Sequence, residues 1–278
     1  MTKTPDTVQL KLAGVPETLL WPLWNRAVES RRQDAIIDAP WAVALVKRID
    51  YDYARSFGKP TAFHPIRARF GDDRIRAFAE RHGDGAIVVA LGEGLDTQRL
   101  RVADPRLRWF SVDVPAAVTL REHMIEGVEN ERLIADSALS EAWMDQVPND
   151  RPVFITALGL LMYFQPEQVR QLLRQISARF PMAELCFDTI TPLISRKTQR
   201  GLRVTRHYTA PPMPWGISVD HVEAFLTTVG WSPLSVQTYA DPFPDRMRLY
   251  KWLSHGGPVR RARAGGLVHA QSRENVEV

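Results

Sequence analysis

Between residues 17 and 48 the apolar positions recur at the spacing of a helix with one buried face. In "ETLLWPLWNRAVESRR" Leu20, Leu23, Trp24 and Ala27 share that face, and Pro22 is tolerated only in a first turn. "DAPWAVALVKRID" predicts a second helix, with Asp38 as N-cap and Pro40 in the first turn. A third helical pattern starts at Asp72 or Asp73 and stops at Gly83. The period then changes. Short apolar runs at 86–91, 107–113, 131–136, 153–158 and 182–190 read as strands. They alternate with helical patterns, clearest at 115–127 (closed by Gly127), 166–180 and 218–230. The runs at 234–240 and 247–254 are expected to pair as closing strands. This alternation predicts an α/β fold: a mostly parallel sheet with helices on both faces and right-handed crossovers. Residues 191–217, with "APPMPWG", break the alternation and are expected to be a lid insertion.

Composition narrows the class. The 278 residues are 45% hydrophobic and 24% charged, enough for one large core. The single cysteine, Cys186, lies in an apolar run, which excludes a disulfide framework and predicts an inert buried thiol. No run has the length of a membrane span and "MTKTPDTVQL" has no signal-like apolar stretch, so a cytoplasmic protein without a membrane partner is expected. The net charge is +4, and residues 256–278 hold four arginines and two glutamates of it. The nearly neutral remainder argues against a nucleic-acid partner. The Gly-rich, non-periodic stretch 256–278 is expected to be a disordered tail. Nothing in the sequence speaks to oligomeric state.

The candidate chemistry lies in "VVALGEGLDT", residues 88–97. Gly92 and Gly94 let a ligand approach the backbone, and Asp113, ending the next strand, can accept from both hydroxyls of a ribose. A dinucleotide site needs a third glycine facing a diphosphate. Here that position is Thr97, preceded by Asp96. A methyl donor of the S-adenosylmethionine type, a dinucleotide, and a plain strand-to-helix turn remain open on these residues alone.

Seven segments in order, "ETLLWPLWNRAVESRR", "DAPWAVALVKRIDYDY", "IRARFGDD", "VVALGEGLDTQRLR", "WFSVDVPAAVTLRE", "DSALSEAW" and "ALGLLMYFQPEQV", resemble the leucine carboxyl methyltransferase family. The likeness is nearest to its bacterial branch of tetracenomycin-type polyketide O-methyltransferases. It runs from about residue 10 to 190 and more weakly to 253. The resemblance implies a class I, Rossmann-like methyltransferase fold that uses S-adenosylmethionine on a small-molecule acceptor. Residues 1–82 would form a helical cap with a cofactor-contacting helix, and 83–255 the core. It further implies Arg67 on the cofactor's carboxylate, Gly92 and Gly94 along its backbone, Asp113 on its ribose, and Asp136 and Ser137 near its adenine. Arg26 falls where the family carries a basic residue, against a plain surface arginine beside Glu29. Trp21, Trp24 and Trp41 read as core between cap and sheet, and Trp215 as a lid residue. One departure stands out: where the branch commonly has a glutamate before the glycine of "GLLMY", this chain has Leu158, placed beside the reactive end of the cofactor. An already nucleophilic acceptor such as a carboxylate is therefore expected. A hydroxyl acceptor would need a base, for which His64, His207 and Tyr163 are candidates. A protein carboxyl methyltransferase and a non-catalytic scaffold are the alternatives.

Overall fold

A computed structural model describes residues 15–125, 130–254 and 264–273. Its cap consists of α1 (Val15–Thr18), α2 (Leu20–Glu29), α3 (Pro40–Arg48) and α4 (Tyr53–Phe57). The core then runs α5 (Phe63–His82), β1 (Ile87–Leu91), α6 (Gln98–Val102), β2 (Arg108–Asp113), α7 (Pro115–Met124), β3 (Glu131–Ala135), α8 (Ala142–Asp145), β4 (Val153–Ala157), α9 (Pro166–Arg179) and β5 (Glu184–Asp188). It finishes with α10 (Pro192–Gln199), α11 (Val219–Thr228), β6 (Trp231–Thr238), α12 (Arg248–Ser254) and β7 (Gly266–Ser272). Among the described residues no helix is long and apolar enough to cross a membrane.

The strands form one sheet in the order β3-β2-β1-β4-β5-β7-β6, parallel except at β7. The order reverses between β1 and β4, which puts a crevice at their carboxyl ends, where open α/β sheets take ligands. The central strands β1, β4 and β5 are buried along their whole length, as continuous apolar runs covered on both faces must be. Cys186 is buried in β5, and burial pushes its thiol well up, as an inert cysteine requires. The cap has its own core, in which Leu20, Leu23, Trp24 and Leu45 pack with Phe57 and Tyr208.

Several expectations are corrected. The stretch 256–278 is not a disordered tail where it is described. Residues 266–272 form β7, inserted between β5 and β6, so the core extends past 255. Residues 256–263 and 274–278, like Gly127 and the N-terminal decapeptide, lie outside the described residues. Residues 248–254 are a helix, and β6 pairs with β7 instead. The third helix begins at Phe63, nine residues before the expected start. Pro65 sits in its first turn, where a missing N–H costs nothing. Gly71 lies where an added Cβ would come 2.7 Å from the side chains of both Leu158 and Gln98. The proline serves helix entry and the glycine close packing. Ala39, not Asp38, precedes α3; its N–H donates to Ser30 Oγ at 2.8 Å. Trp41 is 45% exposed and outside the core, whereas Trp215 is 4% exposed and packs against Phe187 and Phe225.

Candidate active site

A cavity of about 630 Å³ opens at the carboxyl ends of β1, β4 and β5. The cap covers it through Leu19, Trp21 and Arg26, and the first turns of α5 contribute His64 and Arg67. The 191–217 segment walls its far side with Ile194, Tyr208 and Met213. Of the residues expected to bind the cofactor, Arg67, Gly92 and Leu158 line the cavity. Gly94, Asp113, Asp136 and Ser137 are not on its wall. They follow along the same edge of the sheet, on the loops after β1, β2 and β3.

The wall is charge-paired throughout. Arg67 Nη1 lies 3.1 Å from Asp188 Oδ2, with Asp188 buried at the end of β5. Burial alone would lower the Arg67 guanidinium, but Asp188 outweighs it and raises it. Asp188 also accepts from Tyr239 Oη (2.6 Å) and from the Gly159 N–H. Gly159 has φ +77°, and a Cβ there would stand 2.6 Å from the Arg67 guanidinium, so only glycine lets Arg67 lie flat on this turn. Arg26 is no surface arginine. It is 2% exposed, 3.2 Å from Asp96 Oδ2, and donates to the Leu95 carbonyl. Burial lowers its pKa to about 10 despite Asp96. Asp96 also pairs with Arg101, which reaches buried Asp72 at 2.7 Å. Burial would raise the Asp96 carboxyl, but Arg101 and Arg26 hold it well below the usual range.

Under the glycine loop lies a second cluster. Arg121 Nη1 donates to the carbonyls of Gly94 (3.0 Å) and Asp96 (2.6 Å), and its Nη2 reaches Glu131 (2.8 Å) and Glu93 (3.4 Å). Ser111 Oγ is 2.6 Å from both Glu93 Oε2 and Glu131 Oε1. One hydroxyl proton cannot serve two carboxylates at that distance, so the chain of contacts needs a second proton. Glu93 is the group placed to carry it: burial, against the pull of Arg121, pushes its pKa up to about 7.

The other half of the edge is open. Asp113 accepts from the N–H groups of Gly94 and Val114, both at 2.8 Å, with one oxygen each. Burial raises its pKa, opposed by those two bonds. The Asp136 N–H donates to the Asp113 carbonyl, its carboxylate accepts from the Ser137 N–H, and Ser137 Oγ accepts from the Leu139 N–H. Neither residue caps α8, whose N-cap is Glu141. Val114 presents 44% of its surface beside Asp113.

His64 and Tyr163 stand on the cavity wall, whereas His207 is on the surface, 2.7 Å from Arg206 Nε. Arg69 points away from the site, to Asp73. Sequence reasoning missed Asp188, Gly159, Asn25 and the Glu93 cluster. Asp188 had a signal: it ends an apolar run, "LCFD", just as Asp113 ends "FSVD".

Comparison with known proteins fits this geometry. The family model of leucine carboxyl methyltransferase matches residues 20–177. The tetracenomycin polyketide synthesis O-methyltransferase of Streptomyces glaucescens is 31% identical over 89% of this chain and 92% of its own. The chain belongs to the leucine carboxyl methyltransferase family. An S-adenosyl-L-methionine-dependent methyltransferase of Gibberella zeae is 29% identical over 64% of the chain and 65% of its own length. The crystal structure of a protein assigned as a methyltransferase from Thermobifida fusca superposes with a TM-score of 0.56 at 15% identity, over 94% of this chain and all of that one, which speaks for the fold alone. The methyltransferase depends on S-adenosylmethionine, and the dinucleotide and ligand-free readings of its glycine loop fall away.

Proposed function

We propose that this methyltransferase esterifies a small-molecule carboxylic acid in secondary metabolism, in the cytoplasm. The tetracenomycin relative, named for polyketide synthesis, supports the metabolic setting. The observation that carries the acceptor class is the state of the cavity wall. Asp96 and Asp188 are each committed to arginines, Glu93 is tied to Ser111 and Arg121, and Leu158 lines the same cavity. Among the described residues, every carboxylate on that wall is already engaged by a partner inside the protein. A carboxylate acceptor brings its own nucleophile and releases no proton on alkylation, so the wall has only to align it and keep water out.

The residues present fit the cofactor. When bound, S-adenosylmethionine supplies a methyl group activated by its sulfonium. We assign its carboxylate to Arg67, a guanidinium that spends Nη1 on Asp188 and faces the cavity. Gly92, with φ +64°, is assigned to the backbone wall beside it, and Gly94, with φ +53°, to the turn that follows. Asp113, held by two N–H groups, is assigned to the ribose hydroxyls, and Asp136 with Ser137 to the adenine. Leu158 borders the reactive end. The test is calorimetric titration with S-adenosylhomocysteine and NAD, then turnover of a panel of aromatic acids and phenols read by mass spectrometry. Saturable binding of S-adenosylhomocysteine and methyl esters are expected; methyl ethers without esters would sink the acceptor class.

A further inference from the structure

The cavity wall carries one imidazole that the reading above leaves unused. His64 is the second residue of α5, turned into the cavity with its ring edge-on to Trp21 at 5.5 Å. Behind it stands Asn25 of α2, 0% exposed. Asn25 Nδ2 donates to Thr61 Oγ1 at 3.1 Å and lies 2.6 Å from His64 Nδ1. Asn25 Oδ1 is buried without a partner. The opposite amide orientation would bury an unpartnered NH2 in its place, and orphaned buried N–H groups are rarer than under-satisfied carbonyls. With Asn25 as donor, Nδ1 of His64 keeps its lone pair, and the neutral ring carries its proton on Nε2. Nε2 has no hydrogen-bond partner among the described residues and is not sealed from solvent. It therefore opens on the cavity.

We propose that His64, oriented by Asn25, is the acceptor-binding residue of this enzyme: its Nε2–H donates to the acceptor's carboxylate and sets which acids are taken. The assignment rests on the carboxylate reading of the preceding section. Burial holds its pKa well below 6.5, and the charged groups facing the ring, the cations Arg67 and Arg26, push the same way. The imidazole is thus a neutral donor in a region whose nearby cations favour an anion, and a ring protonated at Nε2 cannot serve as a base. Orientation matters because a neutral imidazole offers one donor and one acceptor. Asn25 decides which of the two faces the substrate. Asn25 is a positioning residue, and the remaining cavity wall near His64, Trp21 above all, suits the apolar body of an aromatic or polycyclic acid.

The test uses the full chain saturated with S-adenosylhomocysteine and 2-naphthoate as the probe acid. Calorimetry should show naphthoate binding weakened at least tenfold in His64→Phe and within about threefold of the parent in His64→Gln, whose amide N–H can replace Nε2–H. S-adenosylhomocysteine affinity should be the same in all three. Nitrogen-15 spectra of the parent should show a neutral ring with hydrogen on Nε2, independently of any ligand. Unchanged naphthoate affinity in His64→Phe, no naphthoate binding by the parent, or a proton on Nδ1 would each overturn the assignment. So would activity on phenols that falls as far in His64→Gln as in His64→Phe, because that pattern belongs to a base. A parent that binds no S-adenosylhomocysteine would instead remove the functional reading itself.

Discussion

The two ends of the candidate site are built on opposite plans. Toward β4 and β5 every charge meets an opposite one inside the protein: Arg67 with Asp188, Arg26 with Asp96, Arg101 with Asp72. Toward β2 and β3 the carboxylates of Asp113 and Asp136 have only backbone N–H groups for partners and stand partly open. The first end is rigid before any ligand arrives, because a buried ion pair cannot lose one member cheaply. The second keeps acceptor capacity in reserve for a polar ligand. Loss of a residue at the first end should therefore cost stability, and loss at the second should cost binding.

The sharpest break of that contrast is Asp188→Ala. It strands a buried Arg67 and removes the acceptor for Tyr239 and Gly159, so denaturant unfolding should show a loss of about 3–5 kcal/mol. Stability within about 1 kcal/mol of the parent would mean that Arg67 finds water or another partner.

Next comes Glu93. Its pKa is raised from 4.5 to about 7, so between those values the folded chain holds a proton that the unfolded chain has released. Stability from this group is full below about 4.5 and is lost as pH rises toward about 7, by up to ~3 kcal/mol at ~1.4 kcal/mol per pH unit. Glu93→Gln keeps a neutral side chain and should flatten that part of the stability curve between pH 5 and 7.5. A variant with the parent's slope would place the proton elsewhere.

Asp113→Ala tests the open end. S-adenosylhomocysteine should bind more weakly by about 1–3 kcal/mol, with unfolding stability changed by less than about 1 kcal/mol. The reverse pattern would make Asp113 a loop clamp only. Smallest of all should be the effect of Leu158→Glu on folding. Leu158 faces the cavity beside Gly71, so a carboxylate there can stay hydrated, and the melting temperature should fall by no more than a few degrees. A collapse in stability would show the position to be core. Hydrogen exchange offers a last refinement: amides of 191–217 should gain protection when cofactor product and naphthoate are bound together, and full protection without them would mark a fixed wall.

The open end was legible in the sequence and the paired end largely was not. Gly92, Gly94 and Asp113 sit at fixed offsets from strand ends, a local pattern that survives without knowledge of the fold. Arg26 read as a surface residue because its partner, Asp96, is seventy positions away and arrives only when the cap closes over β1. Arg67 could be named by resemblance, but Asp188 and Gly159, which shape its surroundings, are far along the chain. The start of α5 was placed at Asp72 or Asp73 rather than Phe63 because the roles of Pro65, in the first turn, and Gly71, against Leu158 and Gln98, are set by the fold. The strand at 266–272 was hidden by the Arg- and Gly-rich stretch before it, whose composition outweighed seven residues of ordinary strand.

That strand makes the enzyme's assembly order awkward. β5 can pair with β4 soon after it is synthesised, yet its other edge stays bare until β7, some eighty residues later, is threaded beside it. During that interval an unpaired apolar edge is offered to any passing chain. The cavity waits as well, since Gly265, which leads into β7, forms part of its wall and receives the Tyr250 hydroxyl. β7 must thus be in place before a substrate can be enclosed, and a stop shortly before β7 should yield insoluble protein rather than a weakened enzyme.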